Sequence, residues 1–240
     1  MIYAHRGASK LAPENTMPAF ELAFHAGADG IETDVQLTKD GVPVLIHDET
    51  VRRTSNGTGF VQDHTLEDIK KLDFGSWFSS KFSDTPIVTL EQFLVWVKGK
   101  NLKINVELKT DKIPYEGIEQ KVYDLLLNYE LLGDTVISSF NLDSIKAFHD
   151  IDPKVETAFL TSKNRNDLTT YAKSQGASCL HLKYRLINKT TMKAARKAKM
   201  PVRTYTVNRP MQFKKCFKMK CAGIFTDVPH LAIEYREMFS

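Results

Sequence analysis

Three carboxylates are the first residues to account for. Glu32 and Asp34 stand two apart in Gly30-Ile31-Glu32-Thr33-Asp34, and Glu107 sits in Ile104-Asn105-Val106-Glu107-Leu108-Lys109. Both runs read as strands, in which residues i and i+2 share a face. Glu32 and Asp34 therefore point to one side, and Glu107 and Lys109 have the same relation on the next strand. Converging carboxylates repel one another, and ionised groups are rarely buried without a partner. A cation between them removes the conflict, and three hard oxygen donors suit Mg²⁺ or Ca²⁺, not zinc. Any one of these acids alone would read as a helix cap or a surface ion pair. Their position at matching ends of neighbouring strands favours the metal.

Two histidines flank these acids. His5 follows the strand-like Ile2-Tyr3-Ala4, and His47 follows Val44-Leu45-Ile46. Lys39-Asp40-Gly41 looks like the turn of a hairpin. A two-residue Asp40-Gly41 turn pairs Lys39 with Val42 and so Asp34 with His47, with Cβ atoms about 4.5–5.5 Å apart. A three-residue turn shifts the register and turns His47 away. A histidine pair supplies both base and acid near neutral pH. Arg6, turned inward at Gly7, and Lys109 add cations suited to phosphate oxygens. His181 lies at a later strand end without a named partner, while His25, His64, His149 and His230 read as structural. A metal, two histidines and two cations together describe phosphoryl chemistry.

Short apolar runs alternate with helical patterns along the chain and must position these groups. Strands are expected at 2–5, 30–34, 103–108, 135–139, 155–160, 178–182, 201–206 and 223–226. Helices are expected at 15–26, 89–98, 116–129, 142–149, 165–175, 189–199, 209–219 and 229–238. Asn15-Thr16, Thr89-Leu90-Glu91-Gln92 and Asn141 supply helix-start signals. Eight strand–helix units in single file predict an α/β fold, a (β/α)8 TIM barrel, spanning 1–240 as a single domain. The segment from 35 to about 88 breaks the rhythm and reads as a small insertion between the second strand and the helix at 89–98. Its aromatics Phe74, Trp77, Phe78 and Phe82 are expected to form a small core over one end of the barrel, with lipid contact as the other reading.

The chain has 240 residues, 42% of them hydrophobic and 26% charged, ordinary values for a globular protein. The formal net charge of +4 is too small to indicate a nucleic-acid protein. No apolar run approaches the roughly 18 residues of a membrane span, so no stable membrane insertion is expected. The lysines and arginines around 193–220 read as a solvated outer helical surface. Cys179, Cys216 and Cys221 read as reduced thiols. With no leader-like segment before Ile2, the expected location is cytoplasmic. The oligomeric state is open.

The residues above, read in order, resemble the glycerophosphodiester phosphodiesterases, within the phospholipase C-like barrels. The matching segments include His5-Arg6-Gly7, Pro13-Glu14-Asn15-Thr16, Glu32-Thr33-Asp34-Val35-Gln36, Asp40-Gly41-Val42-Pro43-Val44, His47-Asp48, Gly75-Ser76-Trp77-Phe78, Val106-Glu107-Leu108-Lys109, Ser139-Phe140, Thr206-Val207-Asn208 and Thr226-Asp227-Val228-Pro229. The resemblance implies metal-dependent hydrolysis of small glycerophosphodiesters, such as glycerophosphocholine or glycerophosphoethanolamine, to sn-glycerol 3-phosphate and an alcohol. It implies Glu32, Asp34 and Glu107 as ligands of one Mg²⁺ or Ca²⁺, and His5 and His47 as the acid/base pair. Arg6 and Lys109 would hold the phosphate, and Phe140, His181 and Tyr205 the rest of the substrate. Many members have Trp where this chain has Tyr205, and His-Pro where it has His181-Leu182. Lysophospholipase D-type hydrolysis and a non-catalytic barrel binding phosphorylated metabolites are the alternatives.

Overall fold

Eight parallel strands close on themselves in the computed structural model of this protein, which describes residues 1–239. In chain order the strands are β1 (Ile2–His5), β2 (Gly30–Leu37), β3 (Pro43–Leu45), β4 (Lys103–Leu108), β5 (Thr135–Ser139), β6 (Glu156–Thr161), β7 (Cys179–Lys183), β8 (Val202–Tyr205) and β9 (Gly223–Thr226). The ladder runs β1-β9-β8-β7-β6-β5-β4-β2, and pairing of β1 with β2 closes the ring. β3 lies outside the ring, antiparallel to β2. Around it pack α1 (Met17–His25), α3 (Leu90–Val97), α4 (Ile118–Asn128), α5 (Leu142–Ile151), α6 (Leu168–Ser174), α7 (Lys189–Lys197), α8 (Pro210–Lys218) and α9 (Pro229–Phe239); the short α2 (Leu66–Ile69) belongs to the insertion. This is the (β/α)8 barrel expected from the alternation of strand and helix patterns.

Local signals explain the helix starts. Thr89 accepts from the Gln92 amide at 3.1 Å while its own amide donates to Gln92 Oε1 at 2.9 Å, so two otherwise unpaired donors at the start of α3 are satisfied. Asn141 caps α5 by accepting from the Asp143 amide at 3.0 Å. The apolar faces of α1 and α3 meet where Phe20 and Phe93, both fully buried, pack with their rings tilted and centroids 4.8 Å apart. Burying each such side chain contributes roughly 1.5–3 kcal/mol.

The insertion has a core of its own, in which Phe74 packs with Val44, Ile46, Val51, Val61, Ile69 and Ile87. Phe74 is buried as expected. Trp77, Phe78 and Phe82 instead form an edge-to-face series at the surface, with Trp77 exposed and Phe78 and Phe82 half-buried.

The hairpin differs from the two-residue turn expected. Val35 pairs with Leu45, Gln36 with Val44 and Leu37 with Pro43, which places Asp34 opposite Ile46 instead of His47. The Ile46 amide accordingly donates to the Asp34 carbonyl at 3.0 Å. The loop holds three residues, Lys39-Asp40-Gly41, and Gly41 takes φ +75°, the left-handed conformation needed at the third position of such a loop. Thr38 ties it down, donating through Oγ1 to Asp40 Oδ1 at 2.6 Å and accepting from the Val42 amide at 3.0 Å. His47 still reaches the barrel mouth, because the chain bends directly after β3. Buried Gln36 holds that bend, its Nε2 lying 3.0, 3.1 and 2.7 Å from the carbonyls of Ile46, His47 and Asp48.

The turn after β1 is equally constrained. Arg6 and Gly7 both have positive φ, +57° and +81°, and a Cβ on Gly7 would lie 2.6 Å from the Ala19 carbonyl carbon. Gly7→Ala is expected to cost at least about 2 kcal/mol, from the left-handed backbone and the overlap together. In a chain of this size that lowers the melting temperature by roughly 4–8 °C. An unchanged melting curve would show that the turn can move.

Candidate active site

The acids meet because of strand register. β2 and β4 pair with Asp34 beside Glu107 and Glu32 beside Asn105, and β1 pairs His5 with Glu32. One carboxylate oxygen each from Glu32, Asp34 and Glu107 lies within 4.8 Å of the others. All three residues are buried, Asp34 completely. Burial, then the neighbouring charges of Asp34 and Glu107, pushes the Glu32 carboxyl well above its ordinary value. Burial acts in the same sense on Asp34, but Arg6, His47, Lys109 and a hydrogen bond from Asn15 outweigh it and hold Asp34 below the usual range. Glu32 Oε1 and Asp34 Oδ1 are buried without hydrogen-bond partners. Buried carboxylate oxygens left unpaired are costly. A divalent cation supplies the missing partner, so the cluster fits a metal site built from hard oxygen donors.

Each of the two histidines is held by a carboxylate. His5 Nδ1 lies 2.7 Å from Asp227 Oδ1, and His47 Nδ1 lies 2.6 Å from Asp48 Oδ1. An ionised carboxylate only accepts, so Nδ1 carries a proton in both rings, and Nε2 is the nitrogen left to exchange a proton with a bound molecule. His5 Nε2 faces the acids, 4.0 Å from Glu32 Oε2. Asp227 is fixed in turn by Asn208 Nδ2 at 2.6 Å and Ser9 Oγ at 3.3 Å. Burial raises the Asp227 pKa, but the bonds from His5, Asn208 and Ser9 overcome this and keep it ionised. Asp48 likewise overcomes its partial burial through Arg53 and His47, and is held at about 2.

The cations sit between acids. Arg6 Nε is 3.1 Å from Asp34 Oδ2 and its Nη1 donates to Glu14 Oε1 at 2.9 Å. Glu14 also receives Arg53 at 2.9 and 2.7 Å, and Arg53 Nε reaches Asp48 Oδ2 at 2.5 Å. One ionic chain thus runs from Arg6 through Glu14, Arg53 and Asp48 to His47. Lys109 Nζ is 2.9 Å from Glu107 Oε1 and 6.0 Å from the centre of the Phe140 ring.

These groups surround a cavity of about 260 Å³ at the C-terminal ends of the strands. Its lining includes His5, Arg6, Glu32, His47 and Glu107, together with Phe140, His181 and Tyr205. That volume lies below the roughly 300–1,000 Å³ of drug-sized ligand sites and suits a small molecule. Phe140 and Tyr205 meet edge to face at 6.1 Å. His181 is fully buried, with Nε2 3.5 Å from Arg203 Nη1 and Nδ1 unpartnered. Burial, reinforced by Arg203, pushes its pKa far below the ordinary value, so the ring is neutral.

Every residue expected in the site lines the cavity except Asp34 and Lys109, which contact the lining residues Arg6 and Glu107. The sequence pointed to no part in the site for Asp227, Asp48, Asn15, Glu14 or Asn105, and Asn15 read only as a helix start. Two of these had a signal: Asp48 is adjacent to His47, and Asp227 directly follows the strand that neighbours β1 in a closed barrel.

Comparison with known proteins gives a consistent picture. The model of the glycerophosphoryl diester phosphodiesterase family matches residues 5–231. A glycerophosphodiester phosphodiesterase of Caldanaerobacter subterraneus is 40% identical, with 97% of this chain and 96% of the relative covered. One from Bacillus altitudinis is 39% identical, with 98% of each covered. Among solved structures, an Oleispira antarctica phosphodiesterase in complex with the product sn-glycerol-3-phosphate superposes with a TM-score of 0.91 at 26% identity, over 99% of this chain and 96% of that one.

Proposed function

The chain belongs to the glycerophosphoryl diester phosphodiesterase family, and from that premise we propose that it hydrolyses small glycerophosphodiesters, glycerophosphocholine and glycerophosphoethanolamine among them, to sn-glycerol 3-phosphate and an alcohol. The observation that carries this reading is the pair of carboxylate-held histidines beside three clustered buried acids at one small cavity.

In this reading Glu32, Asp34 and Glu107 hold one Mg²⁺ or Ca²⁺. When bound, the ion polarises a phosphodiester oxygen and favours loss of a proton from a hydroxyl beside it. Arg6 and Lys109 hold the phosphate and stabilise the charge that develops on its oxygens. Nε2 of His5 takes the proton of the nucleophile, and His47, entering the step protonated at both nitrogens, gives its Nε2 proton to the departing alcohol. Neutral, buried His181 is not an imidazolium that could serve as the acid, so it is placed with Phe140 and Tyr205 in the wall of the glycerol pocket.

Two nucleophiles fit this arrangement, water and the glycerol 2-hydroxyl. Phosphorus NMR of the turning-over enzyme separates them. A transient cyclic phosphodiester marks the hydroxyl, and direct appearance of the monoester marks water. Absence of any glycerol 3-phosphate from all the glycerophosphodiesters tried would overturn the reading.

Asp227→Asn tests how His5 is held. The asparagine amide donates where the carboxylate accepts, so the ring settles with its proton on Nε2 and cannot take another there. The expected result is a kcat lowered by about 10²–10⁴, the contribution of a positioned base, with the wrong-tautomer loss of about 10⁴ as its upper end. Near-normal turnover would remove His5 from the proton transfer.

A further inference from the structure

The acidic residues are unevenly distributed. Between Asp167 and Asp227 the chain contains no Asp or Glu and fourteen Lys or Arg, so the remaining residues carry a formal charge of −10 against the overall +4. This acid-free stretch forms one contiguous sector of the barrel, from α6 through β7, α7, β8 and α8, because these strands neighbour one another in the ring. Arg203 turns into the barrel, whereas Lys189, Lys193, Arg196, Lys197 and Lys218 on α7 and α8 are exposed. A single-sign surface of this kind attracts anions over about a Debye length, roughly 8 Å at physiological salt.

The sector reaches the rim of the cavity. Arg185 follows β7 and Arg209 precedes α8, both exposed at the C-terminal ends of the strands where the cavity opens. Lys10, in the loop after β1, joins them: its amide donates to the Asp227 carbonyl at 3.2 Å, and Asn208 holds the Asp227 carboxylate. Two exposed apolar side chains stand beside these cations. Met211 at 75% is the most exposed large hydrophobic residue described, and Leu11 follows Lys10 at 45%.

We propose that this rim and flank form a peripheral docking surface for an anionic phospholipid bilayer, which holds the cavity mouth at the lipid surface. Lys10, Arg185, Lys189 and Arg209 face the negatively charged headgroups, and Met211 and Leu11 enter the interfacial layer. A bilayer fits better than single-stranded nucleic acid, which binds by stacking bases on open aromatic rings. The aromatic faces of this sector are occupied: Arg165 lies 3.6 Å from the Tyr171 ring centre and Lys215 4.7 Å from that of Tyr184. The exposed aromatics Phe60 and Trp77 belong to the insertion.

The test is co-sedimentation of the full chain with vesicles of phosphatidylcholine alone or with about one-third phosphatidylglycerol, in about 0.05 M and about 0.5 M salt. Binding to the phosphatidylglycerol vesicles alone, lost at high salt, is expected. Combined Lys10→Gln, Arg185→Gln, Lys189→Gln and Arg209→Gln should weaken it at least tenfold, since each surface cation is worth about fivefold in affinity. The same charge change in the insertion, through Lys39→Gln, Lys70→Gln, Lys71→Gln and Lys81→Gln, should leave it within about twofold of the original. Melting curves identify any variant that fails to fold, and the lipid and salt dependence of the unaltered protein decides the matter in that event. No binding to phosphatidylglycerol vesicles at low salt, equal loss in the two variants, or preference for a single-stranded oligonucleotide over the vesicles would overturn the proposal. Vesicle binding is read without turnover, so it stands or fails apart from the hydrolysis.

Discussion

His5→Ala and His47→Ala are each expected to lower kcat by about 10²–10⁴ while the protein stays folded, the usual contribution of a positioned acid or base. Both rings are partly exposed at the cavity and neither belongs to an apolar core cluster, so truncation removes chemistry and little packing. The loss should fall on kcat, with a smaller effect on KM, because the phosphate is held by other groups, Arg6 and Lys109. A substrate with a better leaving group gives a sharper distinction. If His47 protonates the departing alcohol, a p-nitrophenyl diester needs little help and should recover much of the loss in His47→Ala but not in His5→Ala. Equal recovery in both variants would contradict the division of roles.

Glu32→Gln should raise the metal concentration needed for activity by at least about 100-fold, more than the 10–100-fold typical of residues that only support a ligand. The same substitution should act oppositely on the metal-free protein. The folded state raises the Glu32 pKa above its unfolded value of about 4.3. The unfolded chain then releases that proton more readily, so metal-free stability falls as pH rises above about 4.3 toward the raised folded value. Glutamine has no proton to release and escapes this penalty. In EDTA, therefore, Glu32→Gln should melt higher than the unaltered protein, by a margin that widens as pH rises above about 4.3 and levels off where Glu32 ionises in the folded state. On adding Mg²⁺ or Ca²⁺ the order should reverse, because only the intact cluster gains binding energy on folding. Parallel melting curves for the two proteins, with and without ion, would mean that the three acids do not act as a metal site.

Much of this arrangement was legible in the sequence because it follows from local periodicity. The two-residue spacing of Glu32 and Asp34 places both on one strand face, and the matching Glu107 comes from the next strand of a barrel. What the sequence concealed depends on closure and on side-chain bonds within turns. His5 and Asp227 meet only because β1 pairs with β9, at a separation of 222 residues, which no local pattern expresses. The hairpin register turned on the positive φ of Gly41 and the bonds of Thr38, which favoured a three-residue loop over a two-residue one. His47 reaches the site in spite of that shift because Gln36, two residues beyond Asp34, gathers the carbonyls of the following bend. The ionic chain from Arg6 to His47 was similarly hidden. Glu14 lies in the first loop and Arg53 in the insertion, and only the folded chain joins them.

The central claim is that a divalent ion on these three acids, worked by two histidines, hydrolyses a glycerophosphodiester. The measurement that meets it most directly is release of glycerol 3-phosphate from glycerophosphocholine in a dehydrogenase-coupled assay, with protein stripped by EDTA and then resupplied with Mg²⁺ or Ca²⁺. The expected result is no release from the stripped protein and recovery with at least one of the two ions. Full-rate release from protein shown to be free of metal would contradict the account, as would no release from folded protein with either ion.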